Sequence, residues 1–150
     1  LDVAMYDFIH NAASGNLVIG ERAARCALSE LYGRALEWRA PEAVRAVRRG
    51  PDRVELLFER VYNWLNCYEQ PASLLPFDAE DGEGLVHPAA YEARRDSILL
   101  TFARPLGKDA ALHGAWRANP GEQVPWDCMR LPMLSFYGLP VRTDPQEQEA

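Results

Sequence analysis

The spacing of apolar positions changes once along this chain. Leu17, Gly20, Ala24, Ala27, Leu28 and Leu31 recur at intervals of three and four, which places them on one stripe of an α-helix lying within residues 11–33. The side-chain oxygen of Ser14 or Asn16 is suited to cap its first turn. Glu21 and Arg25 are spaced as an i,i+4 ion pair, and Gly33 falls where a left-handed residue ends a helix. The stripe is rich in Gly and Ala, which suits close packing against a sheet. Ahead of it, the apolar run 1–5 predicts the end of a strand. Residues 35–42, with Trp38 and Pro41, have no clear period and read as a connector.

Beyond residue 43 the period shortens to two. Segments 43–48 and 53–58 flank Arg49-Gly50-Pro51-Asp52, a turn sequence, and predict a hairpin with Val54, Leu56 and Phe58 on one face. Segment 61–65 is a candidate strand. Segments 86–94 and 97–103 read as two more strands around Arg95-Asp96, the second with the β-branched and aromatic content of a buried strand. The acidic tract 78–84 predicts a hairpin tip. Its competing reading, a calcium loop, lacks the alternating ligand spacing and terminal Glu. The expected organisation is a loop and helix over 1–34, a connector over 35–42, an antiparallel β-sandwich-like domain over 43–144, and a disordered polar tail over 145–150.

Composition narrows the classes. At 150 residues and 48 % hydrophobic, the chain has the size and apolar content for an ordinary core. A formal charge of −6 argues against a nucleic-acid or anionic-membrane partner, both of which need a concentrated basic surface. No apolar run approaches the roughly 20 residues of a membrane span. Lys108 is the single lysine among 16 basic residues, which reads as a codon bias toward arginine. Cys26, Cys67 and Cys128 lack the C-x-x-C pattern of zinc or redox sites. Cys26 reads as a small core residue on the helix, and both free thiols and a Cys67–Cys128 disulfide remain open for the other two.

The candidate chemistry lies at Asp7-Phe8-Ile9-His10, just ahead of the predicted helix. A serine hydroxyl needs an imidazole to take its proton, and the imidazole needs a carboxylate to fix its tautomer and stabilise its charged form. One short loop carrying both groups can supply that pair. Against this stands the frequency of D-x-x-H spacings in general. The segment Ile19-Gly20-Glu21-Arg22-Ala23-Ala24-Arg25, then Ala27-Leu28 and Leu31-Tyr32-Gly33, resembles the last helix of sialate O-acetylesterases, members of the SGNH (GDSL-like) hydrolases. Ala115-Trp116, Asn119-Pro120, Gly138-Leu139-Pro140 and Arg142-Thr143-Asp144 are similar to the closing pattern of the same family. The chain departs from it after the histidine, with Asn11-Ala12-Ala13-Ser14 in place of a proline and a basic residue, and at His113-Gly114.

The resemblance implies an α+β chain. Its beginning would be the terminal catalytic loop and helix of an SGNH α/β hydrolase domain. It implies Asp7 and His10 as two members of a Ser-His-Asp triad, removal of O-acetyl groups from a sugar, no metal or organic cofactor, and a secreted or periplasmic location. No Gly-Asp-Ser nucleophile block occurs, and only nine residues precede His10. A parallel sheet with crossover helices does not fit in about 33 residues. The expectation is therefore a C-terminal piece, inactive alone, with the N-terminal remainder of the same protein as its partner.

Two other functions compete: a noncatalytic carbohydrate- or protein-binding β module, and an acetylxylan or lipid esterase of the same superfamily. His87 reads as a surface residue and His113 as a strand-interior one. Trp64, Trp116 and Trp126 read either as core or as a platform for a sugar ring. Trp126, in the irregular Pro-rich segment 124–132, and Asn11 are the candidate substrate-proximal residues.

Overall fold

The computed structural model describes residues 3–7, 9–67, 70–117 and 124–143. They divide into two compact units, Leu1–Arg39 and Ala40–Ala150.

The first unit is a loop and one helix, α1 (Ala13–Glu30). The helix begins earlier than its candidate caps. Ala12 is the N-cap, in extended conformation and without a side-chain cap, so Ser14 and Asn16 lie inside the first turn. Its start is fixed by backbone instead. The Ala12 N–H donates to the Ala4 carbonyl at 2.9 Å, and Gly15 packs so tightly that a Cβ there would lie 2.5 Å from the Ala4 oxygen. At the other end Gly33 has φ +66°, and the Arg34 N–H reaches back to the Leu28 carbonyl at 2.9 Å. The Glu21–Arg25 pair forms at 2.8 Å. The apolar stripe does not make a core within this unit: Leu17 is 76 % exposed and Leu31 79 %. The run 1–5 is not a strand where it is described; Met5 makes a single bridge to Asn11.

The second unit holds β1 (Glu42–Arg48), β2 (Arg53–Glu59), β3 (Phe77–Asp81), β4 (Gly84–Val86), β5 (Pro88–Ala93), β6 (Ser97–Phe102), β7 (Ala111–Gly114) and β8 (Phe136–Thr143). They form one sheet in the order β4-β3-β7-β8-β1-β2-β6-β5. In place of the two separate sheets of a sandwich, the eight strands make a single sheet that nearly closes, with β5 returning against β3. Strand β8 is the reason. Its first half pairs antiparallel with β7, through Phe136, Leu139 and Pro140. Its second half pairs parallel with β1, through Val141, Arg142 and Thr143. One strand thus belongs to both halves of the sheet, and the expected all-antiparallel pairing has this one exception.

The core lies between those halves. Val54, Leu56 and Phe58 on β2 face inward with Ile98, Leu100 and Phe102 on β6, Phe77 and Ala79 on β3, and Leu112 on β7. This is the alternation of a sheet with one buried face. The β1–β2 hairpin has the expected position and face, and β6 has the expected span to within a residue. The acidic tract is the β3–β4 hairpin. Asp81 there accepts two 2.7 Å hydrogen bonds from Arg104 and one of 2.8 Å from the Gly107 N–H, which tie the tip to a neighbouring loop.

Two strand expectations fail. Segment 61–65 is irregular, because Arg60 and Asn63 take left-handed backbone conformations that interrupt any ladder. Segment 86–94 is broken at His87, and Pro88 begins a new strand. Cys67 and Cys128 are free thiols, as is Cys26, which is half-buried on α1 and not in a core; Cys67 is buried and its thiol is pushed up to about 12 by that burial. The Asn119-Pro120 turn and the tail 145–150 lie outside the described residues.

Candidate active site

The Asp7–His10 loop is closed at its base by the Met5–Asn11 bridge and by the Tyr6 N–H donating to the His10 carbonyl at 2.8 Å. This tight turn brings both side chains to one side. His10 Nδ1 lies 2.8 Å from Asp7 Oδ2 and 3.1 Å from Oδ1. The carboxylate is itself held, since Asp7 Oδ1 accepts the backbone N–H of Ile9 at 2.9 Å and of His10 at 2.8 Å. The His10 hydrogen bond, with the two amides behind it, holds the Asp7 carboxyl below the usual carboxylate range.

The arrangement has a definite chemical sense. An ionised carboxylate accepts only, so Nδ1 carries the proton it receives. In the neutral ring, Nε2 is then the acceptor and points away from the carboxylate. An imidazole held this way can take a proton through Nε2, and the Asp7 carboxylate stabilises the charge that results. Both side chains are accessible in this unit, His10 more so.

The structure brings Asp7 and His10 together; the two expected substrate-proximal residues are placed differently. Asn11 is exposed at the bridge to Met5, at the stem of the same loop. Trp126 belongs to the sheet unit, where its backbone pairs with Asn66 by bonds of 2.7 and 3.2 Å and it also bridges to Pro132. Its segment is pinned by buried Asp127, whose Oδ1 accepts from the Met129 and Leu131 amides at 2.9 and 3.1 Å. Among the described residues, no group of three or more His, Cys, Asp or Glu side chains could hold a metal ion.

The other two histidines occupy a cluster that sequence reasoning did not assemble. His113 is on β7, as its strand-interior reading required, and is 1 % exposed. Its Nδ1 accepts the Gly138 N–H at 2.9 Å, so its ring proton sits on Nε2 and is donated to Glu80 Oε2 at 3.1 Å. His87 is half-buried, with Nδ1 3.2 Å from Asp78 Oδ1 and Nε2 3.0 Å from the Ala72 carbonyl. Trp116 donates its indole N–H to Asp78 Oδ2 at 3.0 Å, and Arg117 lies 3.0 Å from the same oxygen. Burial works to raise the Asp78 carboxyl, but the bonds from Trp116 and His87 and the Arg117 charge outweigh it and hold it below the usual range. Asp78, Glu80 and Tyr137 carry no motif; the available signal was the alternation that puts Asp78 and Glu80 on one face of β3.

No protein-family profile matches this sequence, and no curated protein does. Among solved structures, a carbohydrate acetylesterase from Xanthomonas citri is similar at a TM-score of 0.71 and 23 % identity. The similarity covers 90 % of this chain and 30 % of that one, so the chain has the fold of less than a third of that esterase. The N-terminal part of the bacterial S-layer protein SbsC, at a TM-score of 0.47, 9 % identity and 86 % and 28 % coverage, is too distant to bear on the argument. The same holds for the S-layer protein rSbsC(31-844), at 0.48, 12 % identity and 87 % and 18 % coverage.

Proposed function

We propose that this chain is part of a serine carbohydrate esterase resembling sialate O-acetylesterases, and that it supplies the aspartate and histidine of a Ser-His-Asp triad. One observation carries the reading: the 2.8 Å contact between His10 Nδ1 and an Asp7 carboxylate that two backbone amides hold in place. The fold shared with part of a carbohydrate acetylesterase is consistent with it. So is the order of the sequence motifs.

His10 Nε2 takes the proton of a serine outside these 150 residues as its oxygen attacks the carbonyl of a sugar acetate. His10 then returns that proton to the departing sugar oxygen, which leaves an acetyl-serine. In the second half, His10 takes a proton from water, the water oxygen attacks the acetyl carbon, and acetate leaves as the serine oxygen regains a proton. Asp7 fixes the imidazole tautomer and faces its positive form in both halves. No organic cofactor enters these steps.

The test is the protein that contains this chain together with its nucleophile. Changing His10 to Ala should lower hydrolysis of p-nitrophenyl acetate, and acetate release from an acetylated sugar, by about a thousandfold or more. The melting temperature should barely move, because the ring is exposed. A variant that keeps the parental rate would remove the proposal.

A further inference from the structure

We propose that the sheet unit carries a binding site for a neutral pyranose, built from the rings of Tyr137 and Trp116 with Glu80 and Arg117 at its rim. The inference adds a sugar contact to the esterase reading but rests on its own geometry. Binding at this site needs neither Asp7 nor His10.

The two rings are exposed, yet they are fixed from below. Tyr137 is 66 % exposed and Trp116 37 %. Tyr137 stacks on the buried His113 ring at 4.2 Å and 21°. Trp116 leans on both, with centroids 5.4 Å from His113 and 5.4 Å from Tyr137. Each support is held in turn. His113 is clamped between the Gly138 amide and Glu80, which makes it a positioning residue for Tyr137. The Trp116 indole is anchored on Asp78. Ala115, just before Trp116, takes φ +49°, a left-handed conformation unfavourable for a residue bearing a Cβ. The left-handed turn directly precedes a large ring that burial does not account for.

The shape and charge select among ligands. Trp116 and Tyr137 meet at 53°, so they form a corner and not a flat shelf. A corner takes the apolar C–H face of one sugar ring against one aromatic face and its edge against the other, and suits a soluble chain better than a crystalline surface. The rim supplies what sugar hydroxyls require. Glu80, with a half-exposed side chain, is an acceptor. Arg117, exposed and 5.7 Å from the Trp116 ring centre, is a donor. Asp78 faces Arg117 and His87, whereas Glu80 presents a half-exposed carboxylate at the rim. That charge disfavours an anionic sugar and leaves a neutral one as the fitting occupant.

The experiment is a titration of the chain Leu1–Ala150 with xylohexaose and with cellohexaose, followed by tryptophan fluorescence and calorimetry, with trigalacturonate as the anionic comparison. Saturable binding of at least one neutral oligosaccharide, with weaker or no binding of trigalacturonate, is expected. Tyr137→Ala should weaken that binding by about tenfold or more. Its melting temperature should stay within a degree or two, because the side chain is mostly in solvent. Trp116→Ala should weaken it at least as much. Tyr137→Phe, which keeps the stacked ring, should retain most of it. Failure of the folded chain to bind either neutral sugar, equal affinity for trigalacturonate, or binding that Tyr137→Ala leaves unchanged would overturn the proposal. Binding that persists in a His10→Ala chain supports it and is independent of the esterase reading.

Discussion

The helix unit and the sheet unit use their apolar residues in opposite ways. On the sheet, Val54, Leu56, Ile98, Leu100 and Leu112 are removed from water and belong to one core cluster that draws on both halves of the sheet. On α1, Leu17 and Leu31 stand mostly in solvent, and Gly15 is its only buried residue. Periodicity marks a residue's face, but burial, and the stability it brings, depends on what that face meets. The sheet unit therefore has a core of its own, whereas the helix unit is held by backbone contacts and by a few polar pairs.

That contrast can be broken most sharply in the sheet core. Leu56→Ala should destabilise the chain by about 2–5 kcal/mol in urea unfolding, since it leaves a cavity in packed surroundings. Leu17→Ala should change it by less than about 0.5 kcal/mol. Comparable losses at both positions would mean that the helix stripe is buried in solution. Next in size is Gly114→Ala, whose new Cβ would collide with the Phe136 ring. Overpacking of this kind costs about 1–3 kcal/mol and should appear as a lowered melting temperature.

Acid should act on the sheet through Asp81. Arg104 and the Gly107 amide hold its carboxyl below the usual range. A group whose folded value is depressed contributes stability that is full above its unfolded value, near pH 4, and is lost as pH falls through the folded one. Asp81→Asn should therefore cost about 1–2 kcal/mol at neutral pH. It should also flatten the fall in stability below about pH 4 in a series of urea titrations. A variant with an unchanged acid limb would show that the Arg104 clamp is not formed in solution.

The smallest effects belong to the helix glycines, and they differ in sign. Nothing lies within 4 Å of a Cβ placed on Gly20, so Gly20→Ala should raise helicity and stabilise α1 by up to about 1 kcal/mol, read by circular dichroism. At Gly15 the same change pushes against the Ala4 carbonyl and Val3 and should loosen the loop that holds Asp7 and His10. In the enzyme that contains this chain, it should lower turnover by about tenfold while leaving the melting of the sheet unit unchanged.

Much of this was legible from local pattern. The helix, its Glu21–Arg25 pair, the left-handed Gly33, the first hairpin with its inward face and the strand at Ser97 all follow from spacing over a few residues. The Asp7–His10 contact also lies within that range, because a three-residue separation on a tight loop lets the side chains meet with little help from the rest of the fold. The errors fell where a distant partner or the backbone overruled the pattern. Ser14 and Asn16 have capping side chains, but contacts from Val3 and Ala4 set where α1 begins. Tyr62 and Trp64 have strand-like character, but left-handed residues on either side of Tyr62 prevent a ladder.

The sequence by itself determined α1, the first hairpin with the inward face of β2, the strand β6, and the pair of groups on the first loop, because these depend on neighbours a few residues apart. Only the tertiary structure decided that β8 joins both halves of one sheet. It alone stacked Tyr137 on His113 and placed Trp116 against them, and it alone left the α1 stripe in solvent within its unit. Those features depend on residues tens of positions apart meeting in a particular register. Nothing in a local spacing specifies which distant strand will supply the neighbour.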